Sequence, residues 1–388
     1  MIPVPETATG LLHRRQCDKA PSSRSRQISA SDEAGIELGL TEPGVHLGGR
    51  TMLVRLSRCA HPWGHVQRCT VAPLTSTLWR PNGAPAPDDQ ASLVMRITEG
   101  VLRLRGHRLS DRVPSRSKRA EAGPSPWMRA RYDVSRHEIQ GRAVVTVRPR
   151  TGRASSHILY LHGGAYSRPL IRPHWWVVDR LIRATGSAVS VPHYPLAPES
   201  DHREAYRFLL ATYAEMLRTK PDARPILAGD SAGGGLALGL ALKLRDTGQP
   251  LPSRLILFSP WLDLTLTDPA VRDVEPMDAM LRIETLRQDG ERWANGADPS
   301  SPYLSPLHAD LQGLPPIQLF QGSRDLLAVD ARSFAYRAEV AGHPIDYVEV
   351  PGGIHIYMAA TWTPESRAAF RRIGTAIQES ATLEPMVR

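Results

Sequence analysis

The residues best suited to chemistry are a serine, an aspartate and a histidine spread over the second half of the chain. Ser231 lies in Gly229-Asp230-Ser231-Ala232-Gly233. The apolar run Pro225-Ile226-Leu227-Ala228 precedes it and reads as a buried strand; the small and apolar run 234–244 follows and reads as a buried helix. A Gly-x-Ser-x-Gly between strand and helix can hold its serine on a sharp, strained turn with the hydroxyl exposed. Capping the helix is the simpler role for such a serine. Three further pieces, in a telling order, favour the nucleophile.

The first is His162-Gly163-Gly164-Ala165-Tyr166, just beyond an expected strand at 157–161. Adjacent glycines can aim backbone N–H groups at one point, as the tetrahedral intermediate of acyl transfer requires. Gly163 and Gly164 are two such donors, and Ala232, after the serine, is a third; His162 reads as structural. The second is Gly322-Ser323-Arg324-Asp325, at the end of the expected strand 317–320. Its carboxylate can hold a histidine in the productive tautomer. Asp330 is the rival, placed less well inside the next helix. The third is Pro351-Gly352-Gly353-Ile354-His355, a turn able to carry a histidine over the sheet edge. His355 would take the proton of Ser231 and return it to a leaving alcohol; His308 and His343 are worse placed. The order Ser…Asp…His is that of one of the three known serine-triad arrangements.

These groups need a scaffold. Apolar runs at 143–147, 157–161, 188–191, 226–228, 255–258, 317–320 and 346–350 predict strands, and 174–184, 199–218, 232–245, 328–341 and 364–379 predict helices. The alternation argues a mostly parallel central sheet flanked by helices. Residues 267–310 break the rhythm and read as a helical insertion. Residues 95–140 carry Ile97, Val101, Leu102, Leu104, Leu109 and Val113, a pattern that predicts N-terminal cap helices, with a basic loop at 114–126. Residues 141–388 then form the catalytic domain. Residues 1–94 lack sustained periodicity and read as a disordered extension outside the working protein, with the patterned region opening at Met95.

The whole set of motifs resembles the hormone-sensitive-lipase-like branch of the α/β-hydrolases, marked by an HGG oxyanion motif and a GDSAGG elbow. The resemblance covers about residues 142–381. It also takes in Tyr194-Pro195-Leu196-Ala197-Pro198-Glu199, Ser259-Pro260-Trp261-Leu262-Asp263-Leu264 and Ser305-Pro306-Leu307. It implies an α/β-hydrolase fold with a helical cap built from the N-terminal helices and the insertion. It further implies a serine carboxylesterase acting on short- to medium-chain esters without metal or cofactor, and allows a homodimer. An amidase or acyltransferase on the same fold is the alternative, and a non-catalytic relative a weaker one. Three departures stand out: Ala165 replaces a third glycine, His193 and Pro195 replace the family's usual Asp and Arg, and Ile356-Tyr357 replaces Gly-Phe after the histidine. Tyr166, Trp175, Trp176, Met277, Met280 and Tyr357 are candidate pocket residues by position, although such side chains are more often core.

Composition narrows the partners. The net charge of +9 is local: residues 95–153 carry +10 and residues 154–388 carry −3. The basicity therefore does not belong to the catalytic part, and a solvated arginine-rich surface explains it, so no nucleic-acid partner is expected. The substrate is a small-molecule ester. No stretch of about 18 apolar residues predicts a transmembrane span. The three cysteines, Cys17, Cys59 and Cys69, fit no zinc spacing and suit a reducing, cytoplasmic setting.

Overall fold

The computed structural model describes residues 91–105, 121–151, 156–219 and 224–383. The expectations for residues 1–90, for the cysteines, and for Leu109, Val113 and most of the basic loop lie outside the described residues. Eight strands form one sheet: β1 (Tyr132–Ile139), β2 (Arg142–Pro149), β3 (His157–Leu161), β4 (Ala188–Pro192), β5 (Ile226–Asp230), β6 (Arg254–Phe258), β7 (Ile317–Gly322) and β8 (Ile345–Val350). Their order is β1-β2-β4-β3-β5-β6-β7-β8. β1 and β2 pair antiparallel with each other, as do β2 and β4, and every later pair is parallel.

The central strands are buried on both faces, which explains their unbroken apolar runs. Successive residues then divide between two cores. Leu159, Leu161, Leu227, Leu255, Leu257 and Leu319 pack with α4 (His202–Thr219), α5 (Ala232–Asp246) and α8 (Ala328–Val340). Ile158, Tyr160, Val189, Ile256, Phe258 and Phe320 pack with α3 (Arg172–Thr185) and α9 (Pro364–Leu383). The period of two along each strand is what sends neighbours to opposite cores.

Residues 267–310, between β6 and β7, hold no strand. They fold into α6 (Val271–Val274), a 3₁₀ turn at Glu275–Met277, α7 (Ile283–Ala294) and a second 3₁₀ turn at Pro306–His308.

The N-terminal region differs from the expectation of cap helices over 95–140. α1 (Leu93–Leu104) and α2 (Pro126–Arg131) are helical, but Tyr132–Ile139 is the edge strand β1. It turns through Gln140 and Gly141, both at positive φ, into an eight-pair ladder with β2. That two-residue turn suits an antiparallel hairpin. The start is earlier than Met95: Ser92 caps α1, accepting from the Met95 amide at 3.1 Å, and is itself tied to Glu365 on α9. The packed stripe of α1 is also not the apolar one. Met95 and Glu99 are buried, whereas Ile97, Val101 and Leu104 are exposed.

Candidate active site

Ser231 stands between β5 and α5 with φ 52° and ψ −122°, a strained conformation outside the usual regions for a side-chain-bearing residue. Its amide donates to the Phe258 carbonyl, and its own carbonyl takes amides from Gly234, Gly235 and Trp261. Four backbone bonds over-determine the turn. The flanking glycines are demanded by space: a Cβ at Gly229 would overlap the Gly233 backbone, and one at Gly233 would overlap the backbone of Leu161 and His162.

His355 joins the serine to the acid. Its Nε2 lies 3.1 Å from Ser231 Oγ and its Nδ1 lies 2.8 Å from Asp325 Oδ2. All three residues are buried. Two loops supply the histidine and aspartate, and each is braced by the other. The Gly352 amide donates to Ser323 Oγ at 2.8 Å, and the Arg324 amide donates to the Gly353 carbonyl at 3.0 Å. Beyond the histidine, Ile356 adopts a left-handed conformation and its amide donates to Ser259 Oγ at 3.0 Å. The Asp325 Oδ1 takes the Leu327 amide at 2.9 Å, leaving Oδ2 for the imidazole. Burial alone would lower the pKa of His355. The charge and hydrogen bond of Asp325, with lesser contributions from Asp278 and Asp230, outweigh it and raise the value.

Asp330 does not reach this chain. It sits at the start of α8, and His355 bonds Asp325 instead. Of the three oxyanion donors expected, Gly163 lies against Asp230, whose pKa burial raises. Among the described residues, no hydrogen-bond partner stands opposite the amides of Gly164 and Ala232. Beneath them is a buried polar cluster. The Tyr160 hydroxyl donates to Asp230 Oδ1, and His174 Nε2 lies 3.6 Å from Asp230 Oδ2. His162 stacks on Tyr194 and sits 2.7 Å through Nδ1 from the Gly163 carbonyl. Burial, then the nearby His174, pushes the pKa of His162 down to about 3, so at neutral pH it is an uncharged scaffold residue.

The six candidate pocket residues are scattered. Trp175 is packed in the α3/α9 core and donates to the Ala122 carbonyl, and Tyr357 is fully enclosed in the same core. Trp176 is partly exposed and lines, with Trp175, Trp127 and Met128, a cavity of about 720 Å³ that includes none of the three chain residues. Tyr166 is buried, its ring parallel to Trp293 at 4.4 Å. The faces of α3 turn Trp175 into the core and Trp176 toward the surface, the loop after His355 turns Tyr357 into the core, and Tyr166, in the turn after β3, is held between Trp261 and Trp293. Met277 and Met280 remain half-buried in the insertion, on either side of Asp278.

Asp278 itself escaped the sequence reading, as did Glu99. Asp278 is buried, and its Oδ2 takes the Leu326 amide at 2.8 Å, next to Asp325. Neither residue belongs to a motif; only three-dimensional contact marks them. Among the described residues no group of three or more His, Cys, Asp or Glu could hold a metal ion, and no helix is long and apolar enough to cross a membrane.

With this geometry in view, comparisons with known proteins are informative. Residues 158–359 match the model of a family with the α/β-hydrolase fold. An acetyl-hydrolase of Streptomyces hygroscopicus is 37% identical over 226 residues, covering 57% of this chain and 75% of the relative. An esterase of Acinetobacter venetianus is 34% identical, covering 57% and 74%. Among solved structures, EstE5 soaked with p-nitrophenyl butyrate is 30% identical with a TM-score of 0.68, covering 75% of this chain and 100% of that one. An esterase of the bacterial hormone-sensitive lipase family is 28% identical with a TM-score of 0.64, covering 74% and 98%.

Proposed function

This chain belongs to the α/β-hydrolase family, in its hormone-sensitive-lipase-like branch, and from that premise we propose that it cleaves short- to medium-chain carboxylic esters with a Ser231–His355–Asp325 triad. That it is a serine carboxylic ester hydrolase follows from its relatives. The observation that carries the finer reading is His355, bonded through one ring nitrogen to Asp325 and through the other to Ser231.

In this reading Ser231 Oγ attacks the ester carbonyl while His355 Nε2 takes its proton. Asp325 keeps the Nδ1–H tautomer and stabilises the imidazolium. The amides of Gly164 and Ala232 receive the developing oxyanion, each worth about 100- to 1000-fold in rate. Gly163, which lies against Asp230, is the third donor to the same oxygen. The imidazolium then protonates the departing alcohol. Water, deprotonated by the same nitrogen, releases the acid and restores Ser231. Met277 and Met280 are the retained candidates for acyl contact. The protein acts on a small-molecule ester, and a cytoplasmic setting and homodimer formation remain part of the proposal.

The experiment is hydrolysis of p-nitrophenyl acetate, butyrate and longer esters by the wild type and Ser231→Ala. The wild type is expected to prefer the shorter chains, and the variant to fold and lose activity by about 10⁴-fold or more. A folded Ser231→Ala protein with near wild-type turnover would refute the assignment.

A further inference from the structure

Asp278 lies one residue beyond the 3₁₀ turn Glu275–Met277, in the insertion, and is 1% exposed. Both its oxygens are engaged. Oδ1 accepts the amides of Met280 and Leu281 at 2.7 and 2.9 Å, the local turn-forming pattern of an aspartate. Oδ2 accepts the Leu326 amide at 2.8 Å, across 48 residues of chain. The next amide, of Leu327, goes to Asp325 itself at 2.9 Å. Successive amides of one turn are therefore shared between two carboxylates, one from the insertion and one from the turn itself. A purely local role for Asp278 would need only the first two bonds.

The surrounding charges fit a functional contact. Burial first, then the charge of Asp325, raises the pKa of Asp278 to about 6, while His355 acts in the opposite sense. Reciprocally, Asp278 favours the protonated form of His355. The other groups that face this trio are Asp230, acting on His355 from the elbow, and Arg332 on α8 and Tyr347 on β8, both acting on Asp325. The Arg282 guanidinium lies 3.4 Å from the backbone carbonyl of Asp278.

Building on the triad reading above, we propose that Asp278 is a positioning residue for the reaction: through the Leu326 amide it holds the turn that aims Asp325 at His355, so the insertion must be seated for the triad to align. The residue touches neither substrate nor the reacting atoms. It acts through the turn, and its negative charge adds to that of Asp325 at the imidazole.

The test is the pH profile of kcat and KM for p-nitrophenyl butyrate in the full chain, for the wild type, Asp278→Asn and Asp278→Glu. Asparagine keeps an acceptor but no charge. Its acidic limb should move down by about half to one pH unit, because His355 loses a stabilising anion when protonated. Plateau kcat should fall about tenfold through misplacement, with KM within about twofold. Glutamate should return the limb to the wild-type position. Should Asp278→Asn fail to fold, Asp278→Ser, which keeps a short acceptor, is read by the same criteria. An unmoved limb in the uncharged variant, or a change confined to KM, would overturn the proposal. Ser231→Ala run alongside separates the two levels: if it stays active the triad reading fails, whereas an inactive Ser231→Ala with an unmoved Asp278→Asn limb defeats only this inference.

Discussion

Glu99 Oε2 accepts a hydrogen bond from the Arg324 guanidinium at 2.6 Å, joining α1 to the residue beside Asp325 across 225 positions of chain. The same carboxylate, 5% exposed at its side chain, accepts from Arg103 at 2.8 Å through Oε1. Arg103 reaches on to the carbonyls of Pro276 and Met277, two residues that lead into Asp278. One buried carboxylate thus ties α1 to the loop that carries Asp325 and, through Arg103, to the insertion.

Glu99→Ala should therefore weaken both fold and activity. Removing one partner of a fully buried ion pair costs about 3–5 kcal/mol. Here Arg103 and Arg324 are 40% and 23% exposed and can turn to water, so a loss on the order of 2 kcal/mol is expected. Urea denaturation measures it as a lowered midpoint at unchanged slope. An unchanged midpoint would show that α1 docks without this pair.

Asp325→Asn should leave the fold intact and lower kcat by about 10³- to 10⁴-fold. The asparagine can present its NH₂ to Nδ1 and so favour the wrong imidazole tautomer, with the proton on the nitrogen that must act as base. KM for p-nitrophenyl butyrate should change little, because the side chain meets His355 and the Leu327 amide. A drop of tenfold or less would give the role of triad acid to another carboxylate.

The acidic limb of kcat/KM should lie above pH 6.5. His355 must be neutral to take the serine proton, and its pKa is raised because Asp325, with Asp278 and Asp230, outweighs the effect of burial. The sign for stability is opposite to that for activity. A folded-state pKa above the unfolded one means that the stabilisation is complete below about pH 6.5 and fades as pH rises through the folded value. Activity should thus climb where this stabilising contribution declines. A kinetic limb below pH 6 would contradict the electrostatics of the site.

How much could be read from residues alone differed by element. β3, β5 and β6 were legible because strands covered on both faces carry unbroken apolar runs, interrupted here only at their ends by His157, Asp230 and Arg254. β1 was not, because an edge strand with several exposed residues, Tyr-Asp-Val-Ser-Arg-His-Glu-Ile, has no such run to show. Ser231, Asp325 and His355 were legible because each occupies a glycine-marked turn at a strand end, where backbone geometry constrains the residue types. Asp278 and Glu99 were not, since an isolated acid in a helical region looks solvated until its distant partners, Leu326 and Arg324, are in place. Trp175 and Tyr357 illustrate a third case: an aromatic beside the site in sequence can face either core, and here both face the one lined by α3 and α9.

Asp330 offers a separate test, of stability rather than catalysis. Burial, then the charges of Asp263 and Asp268, raises its pKa to about 8, and its Oδ2 has no hydrogen-bond partner among the described residues. Its place in the first turn of α8 favours the anion, but a helix N-terminus contributes only about 0.3–1 kcal/mol. A shift of several pKa units outweighs that, at about 1.4 kcal/mol per unit. The unfolded carboxyl, with an ordinary value near 3.8, ionises long before the folded one. Stability should therefore fall as pH rises from about 4 to about 8, by up to several kcal/mol from this group alone. Asp330→Asn carries no charge at any pH and should remove that slope. At pH 8 the variant is expected to be more stable than the wild type by about 1–4 kcal/mol, with little difference near pH 4. Its kcat should stay within a few-fold of wild type, because His355 takes Asp325 and not Asp330. Urea midpoints near pH 5 and pH 8 decide the matter: a variant less stable than the wild type at pH 8 would mean that Asp330 is ionised and paired in the folded protein.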